Sequence, residues 1–238
     1  TGSNIISVAN DTSTSVAYTL KGSGGIDTIT GGGGVDTITG GDKADIIDGG
    51  AGADIINTGG TDEDADVVKF SDFATVDVVT GVVGNGKDIF NFDFSDLEGA
   101  SGDYINLDDA VSATNASDTP ILGVITGATD LLGITANANI LVANLAGNIA
   151  TPALLETALE VGGGLALTAN GAIAVGTGIL AAYDDGTDSF IAKVTVGGDG
   201  ATDDGTFASG ELTAVNLVKL VGISDVGNLH ATNFDFFS

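Results

Sequence analysis

Four aspartates, Asp27, Asp36, Asp45 and Asp54, recur at every ninth residue of this chain. Each follows a glycine-rich stretch: Gly22, Gly24 and Gly25; Gly31, Gly33 and Gly34; Gly40 and Gly41; Gly49, Gly50 and Gly52. Each precedes, by two residues, an isoleucine: Ile29, Ile38, Ile47 or Ile56. Glycine lets the backbone turn its carbonyl oxygens toward a point, and a short carboxylate beside them adds hard, charged oxygen. That donor set suits a hard divalent cation, calcium first. A merely solvated acidic face needs no such phase, so the spacing favours cation binding over a solubilising surface.

Four nonamers carry the pattern: GSGGIDTIT (22–30), GGGGVDTIT (31–39), GGDKADIID (40–48) and GGAGADIIN (49–57). The third departs from it, with Asp42 in the variable slot and Lys43 where glycine is expected, and a Cβ there is uncomfortable at positive φ. After Asn57 the period loosens. GGTDEDADVVK (59–69) keeps an in-phase Asp66, while Asp62 and Asp64 are either further ligands or a solvated loop. Weaker echoes follow at 76–80, 84–91 and 103–106. The turn before Asp77 has no glycine, which predicts a rung without metal. Phe90, Phe92 and Phe94 alternate with polar residues, as in a strand with one buried aromatic face that widens a core rather than lining a ligand pocket.

The four in-phase copies of G-G-x-G-x-D-x-U-x resemble the RTX family of secreted calcium-binding proteins. The resemblance implies a parallel β-roll, in which six residues of each nonamer turn and three form a strand. Successive strands then lie on opposite faces, and each Ca2+ sits between stacked turns. It implies that Asp27 stacks with Asp45, Asp36 with Asp54, and Asp66 on Asp45. The glycines named above, with Asp42, would contribute to the ligand sphere, and the roll would hold about three ions.

Around these residues the sequence predicts an all-β chain: a capping strand over 1–20, the calcium-binding roll over 21–70, a degenerate metal-poor continuation over 71–118, and a β-rich domain with one short helix over 119–238. Thr151 and Pro152 signal the helix start, with Leu154, Leu155, Ala158, Leu159 and Val161 as an apolar stripe and Gly162 to end it. Segments 179–183 and 190–196 flank 184–188 as a hairpin. A strand over 215–221 and an aromatic tail over 233–238 follow. This half resembles the C-terminal targeting region of type I secretion substrates, whose export signal is C-terminal and uncleaved. Such a signal would explain why no secretory leader is visible at the start of the sequence.

Net charge narrows the function classes. The 238 residues hold 33 acids against 6 lysines, no arginine and no cysteine, for a formal charge of -27. Such a surface repels nucleic acid, and no apolar run is long enough for a membrane-spanning helix. The lone His230, with no H-E-x-x-H or nucleophile elbow, argues against catalysis. Acidic pairs at 108–109, 184–185 and 203–204 sit in turns and read as solvated or calcium-binding. The expected role is a secreted, non-enzymatic calcium-binding structural protein at the surface of a Gram-negative-type bacterium. Its expected partners are copies of itself, a cell-surface polysaccharide and a type I export machinery. The alternative is the calcium-binding export module of a larger RTX enzyme, toxin or adhesin.

Overall fold

Short strands of three to six residues dominate the N-terminal third, as nine-residue periodicity demands. The computed structural model describes residues 2–59, 64–82, 87–93, 122–125, 129–130, 140–144, 149–160, 162–168, 175–176, 178–197 and 206–237. In chain order the strands are β1 (Ile5–Ser7), β2 (Thr19–Gly24), β3 (Thr28–Thr30), β4 (Thr37–Asp42), β5 (Ile46–Asp48), β6 (Ile55–Asn57), β7 (Val67–Phe70), β8 (Asp77–Thr80) and β9 (Ile89–Asp93). There follow β10 (Leu122–Ile125), β11 (Thr129–Asp130), β12 (Ile140–Ala143), helix α1 (Pro152–Leu159), β13 (Leu167–Thr168), β14 (Gly178–Asp184), β15 (Ser189–Val196), β16 (Leu212–Leu220) and β17 (Phe234–Phe237). Asp62, Phe94, Val161, the echo at 103–106, the expected domain boundary at 118–119 and the pairs at 108–109 and 203–204 lie outside the described residues. Among the described residues no helix is long and apolar enough to cross a membrane.

The chain divides into two units. The first joins Thr1–Asp93 with Leu217–Ile223 and Asn228–Phe237; the second holds Phe94–Asn216 and Ser224–Gly227.

The first unit is a parallel β-roll. One sheet runs β1-β3-β5-β7-β9-β17; in the other, β2-β4-β6-β8 is extended by the last residues of β16. A nonamer is one turn and one strand, so each strand pairs with the strand two repeats on: Thr28 faces Ile46, and Thr37 faces Ile55. The middle residue of each strand points inward. Ile29, Ile47, Val68 and Phe90 form one buried column, and Leu20, Ile38, Ile56, Val79 and Leu220 the other. Each such side chain contributes roughly 1.5–3 kcal/mol on burial. No three-residue strand is stable alone, so the stack exists only as a stack.

Toward its C-terminal end the interior widens and is filled by rings. Phe70 stacks on Phe92 at 4.9 Å, and Phe90 meets Phe234 edge-on at 6.1 Å. Buried Phe90 and Phe92 thus form the aromatic face that alternation predicts. The roll also recruits segments that the sequence reading places in the C-terminal domain. Strand β17 pairs in parallel with β9, with Phe234 beside Phe90, and residues 218–220 pair with Asp77 to Val79. Asn233 anchors this last rung by donating from Nδ2 to the Asp88 carbonyl at 2.7 Å.

In the second unit β10, β12 and β14 are parallel, and β14 and β15 form an antiparallel hairpin closed at Asp184 and Ser189. Thr151 caps α1, its Oγ1 accepting from the Leu154 amide. Leu155, Ala158 and Leu159 are buried, whereas Leu154 is half exposed. The i, i+3, i+4 face wins, and Leu154 falls outside it. Two helix carboxylates hold neighbouring backbone: Glu156 Oε1 accepts from Ala214 N at 2.6 Å, and Glu160 Oε1 from Gly210 N at 2.7 Å. Tyr183 is fully buried and donates its hydroxyl to Asn216 Oδ1 at 2.7 Å.

Candidate metal centre

Along each edge of the roll the in-phase aspartates form a ladder. The Asp27 amide donates to Asp45 Oδ1 at 2.8 Å, and the Asp45 amide to Asp66 Oδ1 at 2.8 Å. On the other edge Asp36 N donates to Asp54 Oδ1 at 2.8 Å, and Asp54 N to Asp77 Oδ1 at 2.9 Å. The ladder begins with non-aspartate rungs: Asn4 N donates to Asp27 Oδ1 at 2.6 Å, and Tyr18 N to Asp36 Oδ1 at 2.7 Å. It ends at Asp88, which receives the Asp66 amide at 3.1 Å. The turns therefore stack Asp27, Asp45 and Asp66 on one edge, and Asp36, Asp54 and Asp77 on the other. All six side chains are buried.

One oxygen of each carboxylate is thus committed to backbone. The second oxygens of Asp27 and Asp54 are buried with no hydrogen-bond partner. A buried carboxylate oxygen without a partner is costly unless a cation or proton completes it. These oxygens lie against the first glycine of each repeat. A Cβ on Gly22 would collide with Asp27 Oδ2 and the Gly40 carbonyl, and one on Gly31 with Asp36 Oδ2 and the Gly49 carbonyl. At Gly40 the same place is bounded by Asp45 Oδ2 and the Thr58 carbonyl. Each of these pockets places a carboxylate oxygen beside a carbonyl of the next turn, in space that only glycine leaves open.

The remaining glycines do other things. Gly41, Gly50 and Gly52 hold positive φ of 121°, 87° and 111°, and a Cβ on any of them would strike a carbonyl of the preceding stacked turn. Gly25, Gly33 and Gly34 lie under the N-terminal segment, where a Cβ would strike Gly2, Thr12 and Val16 respectively. Gly24 has only Asp42 Oδ2 nearby, 3.7 Å from where its Cβ would be. Lys43 takes the glycine-type conformation itself, at φ 82°, and its ammonium reaches Asp64 at 3.1 Å in an exposed pair. Asp64 thereby faces Lys43, and Asp42 sits at the end of β4.

The electrostatics suit a cation site. Burial pushes Asp54 up to about 8, helped by the carboxylates of Asp77, Asp36 and Asp48 and opposed by the hydrogen bond from the Asp36 amide. Burial likewise pushes Asp77 up to about 7, with Asp72 and Asp48 adding to it. Among the described residues no three acidic, histidine or cysteine side chains gather around one point. The donor set is therefore one or two carboxylates with main-chain carbonyls. All are hard oxygens, as calcium's six- to eight-fold shell prefers. The residues fit a calcium ion, which would supply the positive charge that the facing carboxylates lack.

Asp77 and Asp88 join the ladder, as the D-x-U-x echoes at 76–80 and 84–91 lead one to expect, although the turn before Asp77 has no glycine. One feature escapes sequence reasoning. The glycines that accommodate the N-terminal segment are indistinguishable in sequence from those that face carboxylates. His230, the lone histidine, is exposed, and its amide is capped by Asn233 Oδ1 at 2.9 Å.

A family model described as the RTX calcium-binding nonapeptide repeat (4 copies) matches residues 19–42 and 30–62. No curated protein and no solved structure gives a significant match to the chain. The matched residues are those that build the ladder and its glycine pockets, and the chain carries RTX calcium-binding nonapeptide repeats across residues 19–62.

Proposed function

We propose that this chain is a secreted, non-enzymatic structural protein that folds on binding calcium outside the cell and assembles with copies of itself at the cell surface. The observation that carries this reading is the buried aspartate ladder. The second carboxylate oxygens of Asp27 and Asp54 are buried, lie against Gly22 and Gly49, and have no hydrogen-bond partner. With a formal charge of -27, the chain opposes its own collapse wherever calcium is scarce. Where calcium is near millimolar, ions neutralise the turns and the free energy of binding becomes free energy of folding. RTX repeats are typical of secreted proteins, which supports export, and the C-terminal region's likeness to type I substrates supports that route. The lone exposed histidine and the absence of arginine and cysteine support a role without catalysis. Open sheet edges at β1, where Ile5 is 85% exposed, support self-association.

Calcium titration of the purified protein tests both halves of this reading. Circular dichroism should show β structure appearing with calcium and lost in excess EGTA. Electron microscopy should show ordered assemblies at millimolar calcium. A β spectrum indifferent to EGTA sinks the folding claim, and monodisperse monomers at millimolar calcium sink assembly.

A further inference from the structure

Strand β1 is the outermost strand of its sheet and pairs only with β3 among the described residues. Its hydrogen bonds show which way the backbone faces. Asn4 O accepts from Thr28 N at 2.9 Å, and Val8 N donates to Thr30 O at 3.0 Å. Backbone groups alternate in direction along a strand, so Asn4, Ile6 and Val8 face β3, while the amides and carbonyls of Ile5 and Ser7 point to the open side. Ile6 is half-buried and pairs with Ile29, at the head of the inward column that continues through Ile47, Val68 and Phe90. On the outer face Ile5 is exposed, as is Ile46, in register with it two strands along. Edge strands are ordinarily guarded by charge or by a break in regularity. At the same end of the roll the other sheet follows that rule, since its outermost strand β2 carries the exposed Lys21, and Ser23 takes a φ of 132°. Strand β1 has no such guard. Residues 1–10 hold no charged side chain, in a chain of formal charge -27, and Asp27, which receives the Asn4 amide, is buried. A second copy of so acidic a protein meets least repulsion along an edge of this kind.

We propose that β1 is the contact between two copies of this chain, which pair edge to edge and antiparallel about a two-fold axis at Ile6. Ile5 of each copy then faces Ser7 of the other, and each of these pairs exchanges both its N–H···O bonds. The two Ile6 side chains meet across the axis, so the open ends of the two inward columns cover each other. Both copies use the same surface, and the contact closes as a dimer instead of propagating. The proposal rests on the self-assembly reading above and gives it a surface.

The test is sedimentation velocity on the full chain at millimolar calcium, comparing wild type with Ile5→Asp and Ser7→Pro. The first puts charge on the uncharged edge, and the second removes an amide that the roll itself does not use. Both variants should fold with calcium as wild type does and associate roughly tenfold more weakly. Amide hydrogen exchange on wild type covers variants that fail to fold: the Ile5 and Ser7 amides should become protected as protein concentration rises. The chain has no cysteine, so Ile6→Cys should give an interchain disulfide on oxidation, reporting the register. Folded variants that associate as wild type does, or an associated Ile6→Cys protein that forms no crosslink, overturn the β1 contact and leave self-assembly standing. Amides protected at every concentration do the same, because the edge is then covered from within one chain. A wild type that stays monomeric at millimolar calcium overturns both.

Discussion

Asp27, Asp36, Asp45 and Asp54 divide their two oxygens between two tasks, one accepting the amide of the previous rung and the other lying against the first glycine of its own repeat. Substitutions that separate the tasks should separate the phenotypes. Asp45→Asn keeps an acceptor for the Asp27 amide but removes the charge, so calcium affinity measured by calorimetry should fall while the fold at saturating calcium survives. Asp45→Ala removes both. It strands a buried amide at a cost of about 1–3 kcal/mol, seen as a lower melting temperature even in saturating calcium. Lys43 occupies a left-handed conformation that costs a side chain roughly 1–2 kcal/mol. Lys43→Gly should therefore raise thermal stability by about 1 kcal/mol, since the exposed pair it gives up with Asp64 is worth little. Proton linkage adds a further expectation. Asp54 and Asp77 have folded values of about 8 and about 7, raised from an ordinary 3.8. An acid with a raised folded value favours the fold in its neutral form. The calcium-free roll is then most stable below about pH 4 with respect to these groups, and loses stability as pH rises through 7 and 8. Calcium needs the ionised form, so the melting-temperature gain on adding calcium should be larger at pH 8 than at pH 6. A gain that is flat across this range refutes the linkage.

At the level of elements, the strands of the roll were readable because nine-residue phase leaves a mark on every repeat. Ile29, Ile38, Ile47 and Ile56 announce the buried columns, and the Asp positions announce the stacking. Helix α1 was equally plain from Thr151, Pro152 and the glycines after it. What could not be read is the recruitment of β17 and the end of β16. Parallel pairing leaves no turn signature, and Phe234 carries no mark that its neighbour is Phe90 rather than a residue nearer to it in sequence. That contact gives a test. Phe234→Ala removes a ring packed on Phe90 in the last rung, and should destabilise the calcium-loaded protein by about 3–5 kcal/mol in denaturant unfolding. Phe237→Ala, changed as a companion variant, reports whether β17 as a whole or the Phe234 ring matters.

For the whole molecule, charge sets the behaviour. Thirty-three acids against six lysines make the calcium-free chain self-repelling, and that repulsion is screened by salt. Added sodium chloride should therefore lower the calcium needed for folding only where screening of the chain outweighs competition at the sites. Small-angle scattering should resolve the end states directly, since an unfolded chain of this length has a radius of gyration of about 53 Å. Removing calcium from the folded protein should move it toward that value. An unchanged radius in EGTA would mean that the core columns hold the roll without ions.

The pairing of β17 with β9 carries a kinetic consequence. Early rungs join residues 18 apart, but Asn91 and Asp235 meet across a sequence separation of 144 residues. Closing so long a loop is slow relative to local contacts, because its entropy is lost before the pairing repays it. A stopped-flow jump into calcium should accordingly give two relaxations: a fast one from the early turns, and a slower one that vanishes when the final ten residues are deleted.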